Sequence, residues 1–258
     1  MNKKWLICVV VLVCVVLLFT GCPKVDEPDN PPVSLETGDI VLKNGQVIRM
    51  ENLTEQQKLD AVGVIYMNKG VPFVLGKYNT LGSQQGLAWA KNDSTGYNTC
   101  IDEIMCHMIK DGEEKSNCEY SAVDTTFTGD TDGSDNWSKI CNRDPEGTAD
   151  SVVAENYPAF NWVNSYAATY GLTGTDFEDG WYMPSVEELC ILHDNRSTLD
   201  NTLDAINGNK LATGWYWSSC QSPYGDNYAW IVAISFGGCY YNGPKSYTQY
   251  VCCVRRFN

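Results

Sequence analysis

The sequence predicts an α+β fold, because strand patterns at both ends of the chain enclose helical patterns in its middle. Residues 40–76 carry the early strand patterns and residues 215–257 carry the late ones. Between them, apolar residues spaced three and four apart predict a helix over 157–170. A second helix is predicted to begin after Ser185. We expect two main helices packed on a small mixed or antiparallel sheet, with long loops.

The early elements depend on local turn and cap chemistry. Asn44-Gly45 lies between two apolar runs and predicts a hairpin over 40–49, since both residue types tolerate a positive φ. Thr54 with Gln57 three residues later has the pattern of a capping box and predicts a short helix. Apolar runs at 61–67 and 71–76 predict two further strands.

The middle of the chain predicts loops first and helices afterwards. Residues 91–150 are polar and rich in turn residues, so we expect little regular structure there beyond a turn of helix near 101–110. Gly171 is placed to end the helix over 157–170. Ser185 and Glu188 form a second capping-box pattern, and a third short helix is predicted over 199–206.

The late elements are strands at 215–219, 229–236 and 250–257. Side chains alternate between the two faces of a strand. The inward set is predicted to be Trp230, Val232, Ile234 and Phe236, and the exposed set Ala233, Ser235, Tyr240, Tyr241 and Tyr247.

Composition excludes several classes of function. The chain has 258 residues and a formal net charge of -14, which argues against a nucleic-acid partner. It has two histidines, His107 and His193, which argues against a His-rich metal site. Twelve cysteines are typical of an oxidising compartment rather than the cytosol.

The first residues predict export. Lys3 and Lys4 precede an apolar run, and small residues with Cys22 follow it, so residues 1–21 have the pattern of a signal peptide. Leu18-Phe19-Thr20-Gly21-Cys22 resembles a bacterial lipobox, and that resemblance implies that Cys22 is acylated and anchors the protein to a membrane. Residues 22–35 are rich in proline and acidic residues and predict an extended tether, followed by the hairpin and short helix of 36–57.

The remaining cysteines and acidic turns give no metal site or cofactor. Nine cysteines follow Cys22, and four of them (Cys100, Cys106, Cys118 and Cys141) lie in the loop-rich region, where disulfides would compensate for a missing core. Their spacing lacks the paired pattern of a zinc site. The acidic run 130–135 does not fit a calcium-binding loop. Its glycine is the fourth residue rather than the sixth, and the twelfth residue is Cys141 rather than a glutamate. An acidic turn is the better interpretation.

The segment from Ser218 to Tyr250 has the most unusual composition. Seventeen of its 33 residues are Ser, Tyr, Gly or Asn, and Asp226 and Lys245 are its only charged residues. Antibody paratopes use the same residue types, since tyrosine gives a large contact area at low entropic cost. The alternative to a binding surface is an ordinary glycine-rich β-loop with no binding role. The predicted ligand-binding residues are Cys220, Ser222, Tyr224, Gly225, Asp226, Tyr228, Ala233, Ser235, Cys239, Tyr240, Tyr241, Asn242, Gly243, Ser246 and Tyr247.

Two groups of motifs carry a family resemblance. Gly180-Trp181-Tyr182-Met183-Pro184-Ser185-Val186-Glu187-Glu188-Leu189 is similar to the G-W-R-L-P-[ST]-x-E-E-L motif of the DUF1566 (Lcl C-terminal) domains. Tyr216-Trp217-Ser218-Ser219, Ala229-Trp230 and the run 251–256 resemble the Y-W-S-S, A-W and V-R-C-V-R motifs of that family. The resemblance covers about 58–258 and implies a C-type-lectin-like fold with a ligand-binding region at about 215–250.

The lipobox, the Tyr- and Ser-rich insert and the Cys-Val-Arg-Arg-Phe ending together resemble the variable lipoproteins of treponemes, which a retroelement diversifies. The resemblance implies a lipid-anchored protein that binds an unknown protein or host-surface ligand. From that binding role we expect exposure at the cell surface, on the bacterial outer membrane, and we expect a monomer. Cys220 and Cys239 would then be products of diversification rather than disulfide partners. Two alternatives stay open: an oxidase of the formylglycine-generating type, which the adjacent Cys252 and Cys253 fit poorly, and a structural envelope lipoprotein.

Overall fold

A computed structural model of the chain describes residues 34–80, 86–91, 100–115, 125–235 and 239–258. Residues 35–258 form one unit. The signal peptide predicted at 1–21 and all but the last two residues of the tether predicted at 22–35 lie outside the described residues.

Strands and helices are mixed along the described chain, which confirms the predicted α+β class. The strands are Ile40–Leu42 (β1), Val47–Ile48 (β2), Ala61–Asn68 (β3), Val71–Gly76 (β4), Leu87–Ala88 (β5), Cys106–Lys110 (β6), Glu113–Glu114 (β7), Thr126–Gly129 (β8), Trp215–Gln221 (β9), Tyr228–Ala233 (β10), Cys239–Pro244 (β11), Thr248–Gln249 (β12) and Val254–Arg256 (β13). The α-helices are Glu55–Asp60 (α1), Asn136–Arg143 (α2), Val153–Asn156 (α3), Pro158–Asn164 (α4), Tyr166–Thr169 (α5), Val186–Asp194 (α6) and Arg196–Ala205 (α7).

The strands form several small antiparallel sheets rather than one large sheet. The largest has the order β13-β4-β3-β1-β2, and a second has the order β11-β10-β9. A third joins β7, β6 and β8, and β12 pairs with β5. The early and late strands therefore meet in the largest sheet, where β13 pairs with β4.

The local predictions at the start of the chain are confirmed. Ile40 pairs with Ile48 and Val41 with Val47, and Gly45 takes a φ of 79° in the turn. The Thr54 hydroxyl accepts a hydrogen bond from the backbone N–H of Gln57, which completes the capping box of α1. Both features depend on neighbouring residues alone, which is why the sequence reveals them.

The predicted helix over 157–170 is two short helices, α4 and α5, interrupted at Ser165. The Ser165 hydroxyl donates a hydrogen bond to the carbonyl oxygen of Trp162, 3.1 Å away, and competes with regular helix geometry. Gly171 ends α5 with a φ of 67°, as predicted. The third helix, α7, starts at Arg196 and not at residue 199.

The region 91–150 has more regular structure than its composition predicts. Strands β6, β7 and β8 form a small sheet, and α2 follows the acidic run. Cys100, Cys106 and Cys141 are free thiols, so the disulfides expected among them are not formed; Cys118 lies outside the described residues. Packing against the rest of the domain holds the described part of this region, since Ile104, Cys106 and Ile140 are buried.

Both faces of β10, the central strand of the sheet β11-β10-β9, are covered. Trp230 and Val232 of β10 belong to one apolar cluster with residues of α6, whereas Ala229 and Ile231 belong to another with residues of α4. In β10, strand alternation therefore separates two cores, whereas in β11 it separates buried Tyr240 from exposed Tyr241. The strand predicted over 229–236 ends at Ala233; Val232 and Ile234 are buried as predicted, and Phe236 lies outside the described residues.

Candidate functional site

Exposed aromatic side chains mark the late segment of the chain. Within the described ranges, five large apolar or aromatic side chains are exposed, and three of them are Tyr224 (45% exposed), Tyr241 (46%) and Tyr247 (61%). We call these three residues the tyrosine surface. Tyr224 lies between β9 and β10, Tyr241 on β11, and Tyr247 in the turn after β11.

Backbone hydrogen bonds hold the two loops of the tyrosine surface together. The loop 222–228 is closed by the N–H of Tyr228 donating to the carbonyl oxygen of Gly225 at 3.0 Å. The turn 244–247 is closed by the N–H of Tyr247 donating to the carbonyl oxygen of Pro244 at 2.9 Å. The N–H of Lys245 donates to the carbonyl oxygen of Asn227 at 2.8 Å and joins the turn to the loop.

Five of the predicted ligand-binding residues are buried, which corrects their assignment to the surface. They are Cys220, Ser222, Ala233, Tyr240 and Gly243. The exposure expected for Ala233 and Tyr240 from strand alternation is wrong. Ala233 lies on β10, which is covered on both faces, and Tyr240 belongs to the apolar cluster that includes residues of α6.

Each buried position has its own neighbours. The Cys220 thiol lies 3.3 Å from a carboxylate oxygen of Asp130. A Cβ at Gly243 would lie 3.2 Å from the Trp217 ring, which leaves little room for a larger residue. Ala233 pairs across the sheet with Trp215. The buried members can shape the surface but cannot touch a ligand on it.

The other predicted ligand-binding residues whose side chains the structure describes are exposed or half-buried. Asp226 is exposed, whereas Gly225, Tyr228, Ser235, Asn242 and Ser246 are half-buried. Ser235 was expected to be exposed, but it is half-buried, and its hydroxyl oxygen is buried with no hydrogen-bond partner among the described residues. Cys239 pairs with Ala233 through the backbone, and its side chain lies outside the described part of the structure.

A buried lysine beneath the two loops was missed by sequence reasoning. The Lys245 side chain is 0% exposed, its Nζ donates a hydrogen bond to Oε1 of Gln221, and Nζ lies 4.5 Å from the centre of the Trp89 ring. Burial lowers the pKa of Lys245 to about 7. The sequence held one sign of a special role, since Lys245 is one of two charged residues in an otherwise uncharged segment.

The Lcl C-terminal domain family matches residues 80–255. The chain belongs to this family.

A solved structure shares the fold. A fimbrial protein from Bacteroides ovatus superposes with a TM-score of 0.56 at 15% sequence identity, over 86% of this chain and 49% of that one. The chain thus spans about half the length of the fimbrial protein. No curated protein sequence matches this chain.

The first family motif of this Lcl C-terminal domain builds a buried polar network around Glu188. The Glu188 carboxylate accepts hydrogen bonds from the N–H groups of Ser185 (2.8 Å) and Gly133 (3.2 Å) and from the hydroxyl of Tyr182 (2.5 Å). Burial raises the pKa of Glu188 to about 7. The same carboxylate therefore caps α6 and attaches the turn after Asp130 to it.

A second set of polar contacts joins that turn to the second family motif. The side-chain amide of Asn136 donates to a carboxylate oxygen of Asp130 at 2.6 Å and to the hydroxyl of Ser219 at 2.8 Å. The backbone N–H of Ser219 donates to the carbonyl oxygen of Pro184 at 2.8 Å. Through these contacts the two motifs brace β9, the strand that leads into the loop bearing Tyr224.

The two adjacent cysteines near the end of the domain are both buried. Burial raises the pKa of the Cys252 and Cys253 thiols above their ordinary value. Seven cysteines have side chains that the structure describes, and all seven are free thiols: Cys100, Cys106, Cys141, Cys190, Cys220, Cys252 and Cys253.

The acidic run 130–135 is used as a turn. The Asp132 carboxylate accepts a hydrogen bond from the backbone N–H of Ser134 at 2.9 Å, as in an Asx turn. Within the ranges that the structure describes, no three His, Cys, Asp or Glu side chains are grouped to hold a metal ion.

The predicted acylation site, Cys22, lies outside the described residues. Among the residues that are described, no helix has the length and apolarity to cross a membrane.

Proposed function

We propose that this Lcl C-terminal domain protein is a lipid-anchored, surface-displayed binding protein whose ligand-binding site is the tyrosine surface. The observation that carries the proposal is the exposure of Tyr224, Tyr241 and Tyr247 within a segment almost free of charge. Soluble proteins bury most aromatic side chains, and exposed tyrosines are common at recognition sites.

The bracing of the loops supports the same proposal. A recognition surface gains affinity when its contact residues are held in place before the ligand arrives. The backbone contacts between Lys245 and Asn227 and the polar contacts that brace β9 provide such support. The ligand we propose is a protein or another component of a host cell surface.

A capture experiment tests the site. The full chain, purified in detergent, is used to retain biotin-labelled surface proteins of cultured mammalian cells. We expect the double variant Tyr224→Ser/Tyr247→Ser to lose the proteins that the wild type retains, because recognition-site tyrosines are frequent hot spots. Leu59→Ser is the matched control, since Leu59 is 67% exposed and lies outside the segment.

The retained protein is then purified and its affinity is measured. Each single tyrosine variant should weaken the Kd by about 30-fold, which corresponds to roughly 2 kcal/mol, the threshold for a hot spot. Equal capture by the wild type, the double variant and the control would place the binding site elsewhere. If the wild type captured nothing, the chain would bind none of these proteins.

The lipid anchor is a separate prediction. If Cys22 is acylated, Cys22→Ser should leave the protein without acyl chains and prevent removal of residues 1–21, so that the apolar run of the signal peptide stays on the chain. The mass of the purified protein measures both effects. A wild-type mass without acyl chains would contradict the anchor, and protease treatment of intact cells tests the outer-membrane, surface-exposed location.

The finer family assignment is also part of the proposal. The lipobox, the Tyr- and Ser-rich insert and the ending resemble treponemal variable lipoproteins diversified by a retroelement, with a C-type-lectin-like fold. The exposed positions fit a diversified surface, whereas buried Cys220 and Tyr240 do not. A nearby reverse transcriptase gene and a partial copy of the coding end would support diversification, and a locus without either would count against it.

The burial of Cys252 and Cys253 favours a binding role over the alternative of an oxidase. A catalytic cysteine reacts as a thiolate at an accessible position. Both thiols are fully buried, and their raised pKa keeps them protonated at neutral pH.

A further inference from the structure

Lys245 is placed where one side chain can control both loops of the tyrosine surface. Its backbone N–H bonds to Asn227 in the loop 222–228, and its carbonyl oxygen accepts a hydrogen bond from Ala90 at 3.1 Å. Its side chain contacts Gln221 at the end of β9 and lies over the ring of Trp89. Tyr224 and Tyr247 lie within three residues of these contacts along the chain.

The burial of the Lys245 amine favours the neutral amine over the ammonium ion. Its side-chain hydrogen bond goes to a neutral amide, and the side chain has no exposed surface. Three nearby groups favour the ammonium: Cys100, Asp226 and the face of the Trp89 ring. The loss of hydration on burial opposes them and lowers the pKa. Cys100 stays a neutral thiol at neutral pH, because burial raises its pKa, and Asp226 is exposed to solvent.

We propose that Lys245 is a pH-sensitive clasp, which holds the loop 222–228 and the turn 244–247 together and releases them more often as the pH falls from about 9 towards 7. Release lets the amine reach water, take up a proton and approach Asp226. The link between loop opening and ligand binding rests on the proposed function. The opening itself does not, because it can be measured without a ligand.

The direction of the pH dependence follows from proton linkage. The pKa of Lys245 is about 7 when the loops are closed, and a solvated lysine has a pKa near 10.5. Between these values the open form binds one more proton than the closed form, so the closed form gains stability as the pH rises. The equilibrium constant for opening therefore falls about tenfold for each pH unit of increase above about pH 7. Below about pH 7 it no longer depends on pH, because both forms are protonated.

Hydrogen exchange on the full chain between pH 7.5 and 9 tests the clasp. The exchange rates of peptides covering 222–229 and 243–247 are divided by the intrinsic rates to give the opening equilibrium. We expect that equilibrium to fall about tenfold per pH unit in the wild type and to be independent of pH in Lys245→Met, which keeps an apolar stem over Trp89. Lys210→Met is the matched control, because Lys210 is half-exposed and pairs with Asp204, and it should behave as the wild type.

The wild type alone decides the matter if Lys245→Met does not fold. Peptides of the hairpin 40–48, whose local opening leaves Lys245 buried, should show no such slope. Equal slopes in the wild type and Lys245→Met, no slope in the wild type, or loop peptides that exchange as slowly as β3 would each overturn the proposal. These outcomes do not depend on the capture experiment, so the clasp and the binding site can fail separately.

Discussion

Replacing Tyr240 with alanine should lower the free energy of unfolding by roughly 3–5 kcal/mol, as for other buried aromatic side chains. Tyr240 is 0% exposed, its ring packs edge-on against Phe127 with 5.8 Å between ring centres, and its hydroxyl is hydrogen-bonded to Thr125. Urea unfolding followed by tryptophan fluorescence measures the loss.

The neighbouring residue provides the control. Tyr241 is 46% exposed, and Tyr241→Ala should change the free energy of unfolding by less than about 0.5 kcal/mol. Similar unfolding midpoints for the two variants would show that β11 does not alternate between core and surface as described.

Replacing Glu188 with alanine should cost more than about 3 kcal/mol. The change leaves three buried donors without an acceptor: the N–H groups of Ser185 and Gly133 and the hydroxyl of Tyr182. Each unmatched buried donor costs roughly 1–3 kcal/mol. Thermal and urea unfolding measure the loss.

Two further variants make the Glu188 result specific. Glu187→Ala removes a surface ion pair with Lys69 and should cost less than about 1 kcal/mol. Glu188→Gln keeps an oxygen acceptor and should fall between the two alanine variants. If Glu188→Ala proved as stable as Glu187→Ala, the network around Glu188 would not hold the turn in place.

Features set by neighbouring residues were predictable from the sequence. The Asn44-Gly45 turn and the Ser185 capping box need only residues within a few positions of one another, and both are formed. The family motifs around Glu188 and Trp217 were also visible. Their role in joining distant segments was not, since Glu188 meets Gly133 only in the folded chain.

The candidate site was predictable only in part. Composition pointed to the segment that carries Tyr224, Tyr241 and Tyr247, and these three side chains are exposed. Alternation could not separate Ala233 and Tyr240 from the surface, because a two-residue period reports only which face a side chain takes. Whether that face meets solvent depends on α4 and α6, which are distant in sequence.

The pairing of β13 with β4 affects how the chain can fold during its synthesis. Phe73–Leu75 leave the ribosome long before Val254–Arg256, their partners in the sheet. Until then the outer edge of β4 has unpaired backbone groups and can pair with a strand of another nascent chain. Contacts so distant in sequence also form slowly. The largest sheet therefore cannot be completed until almost the whole chain has been made.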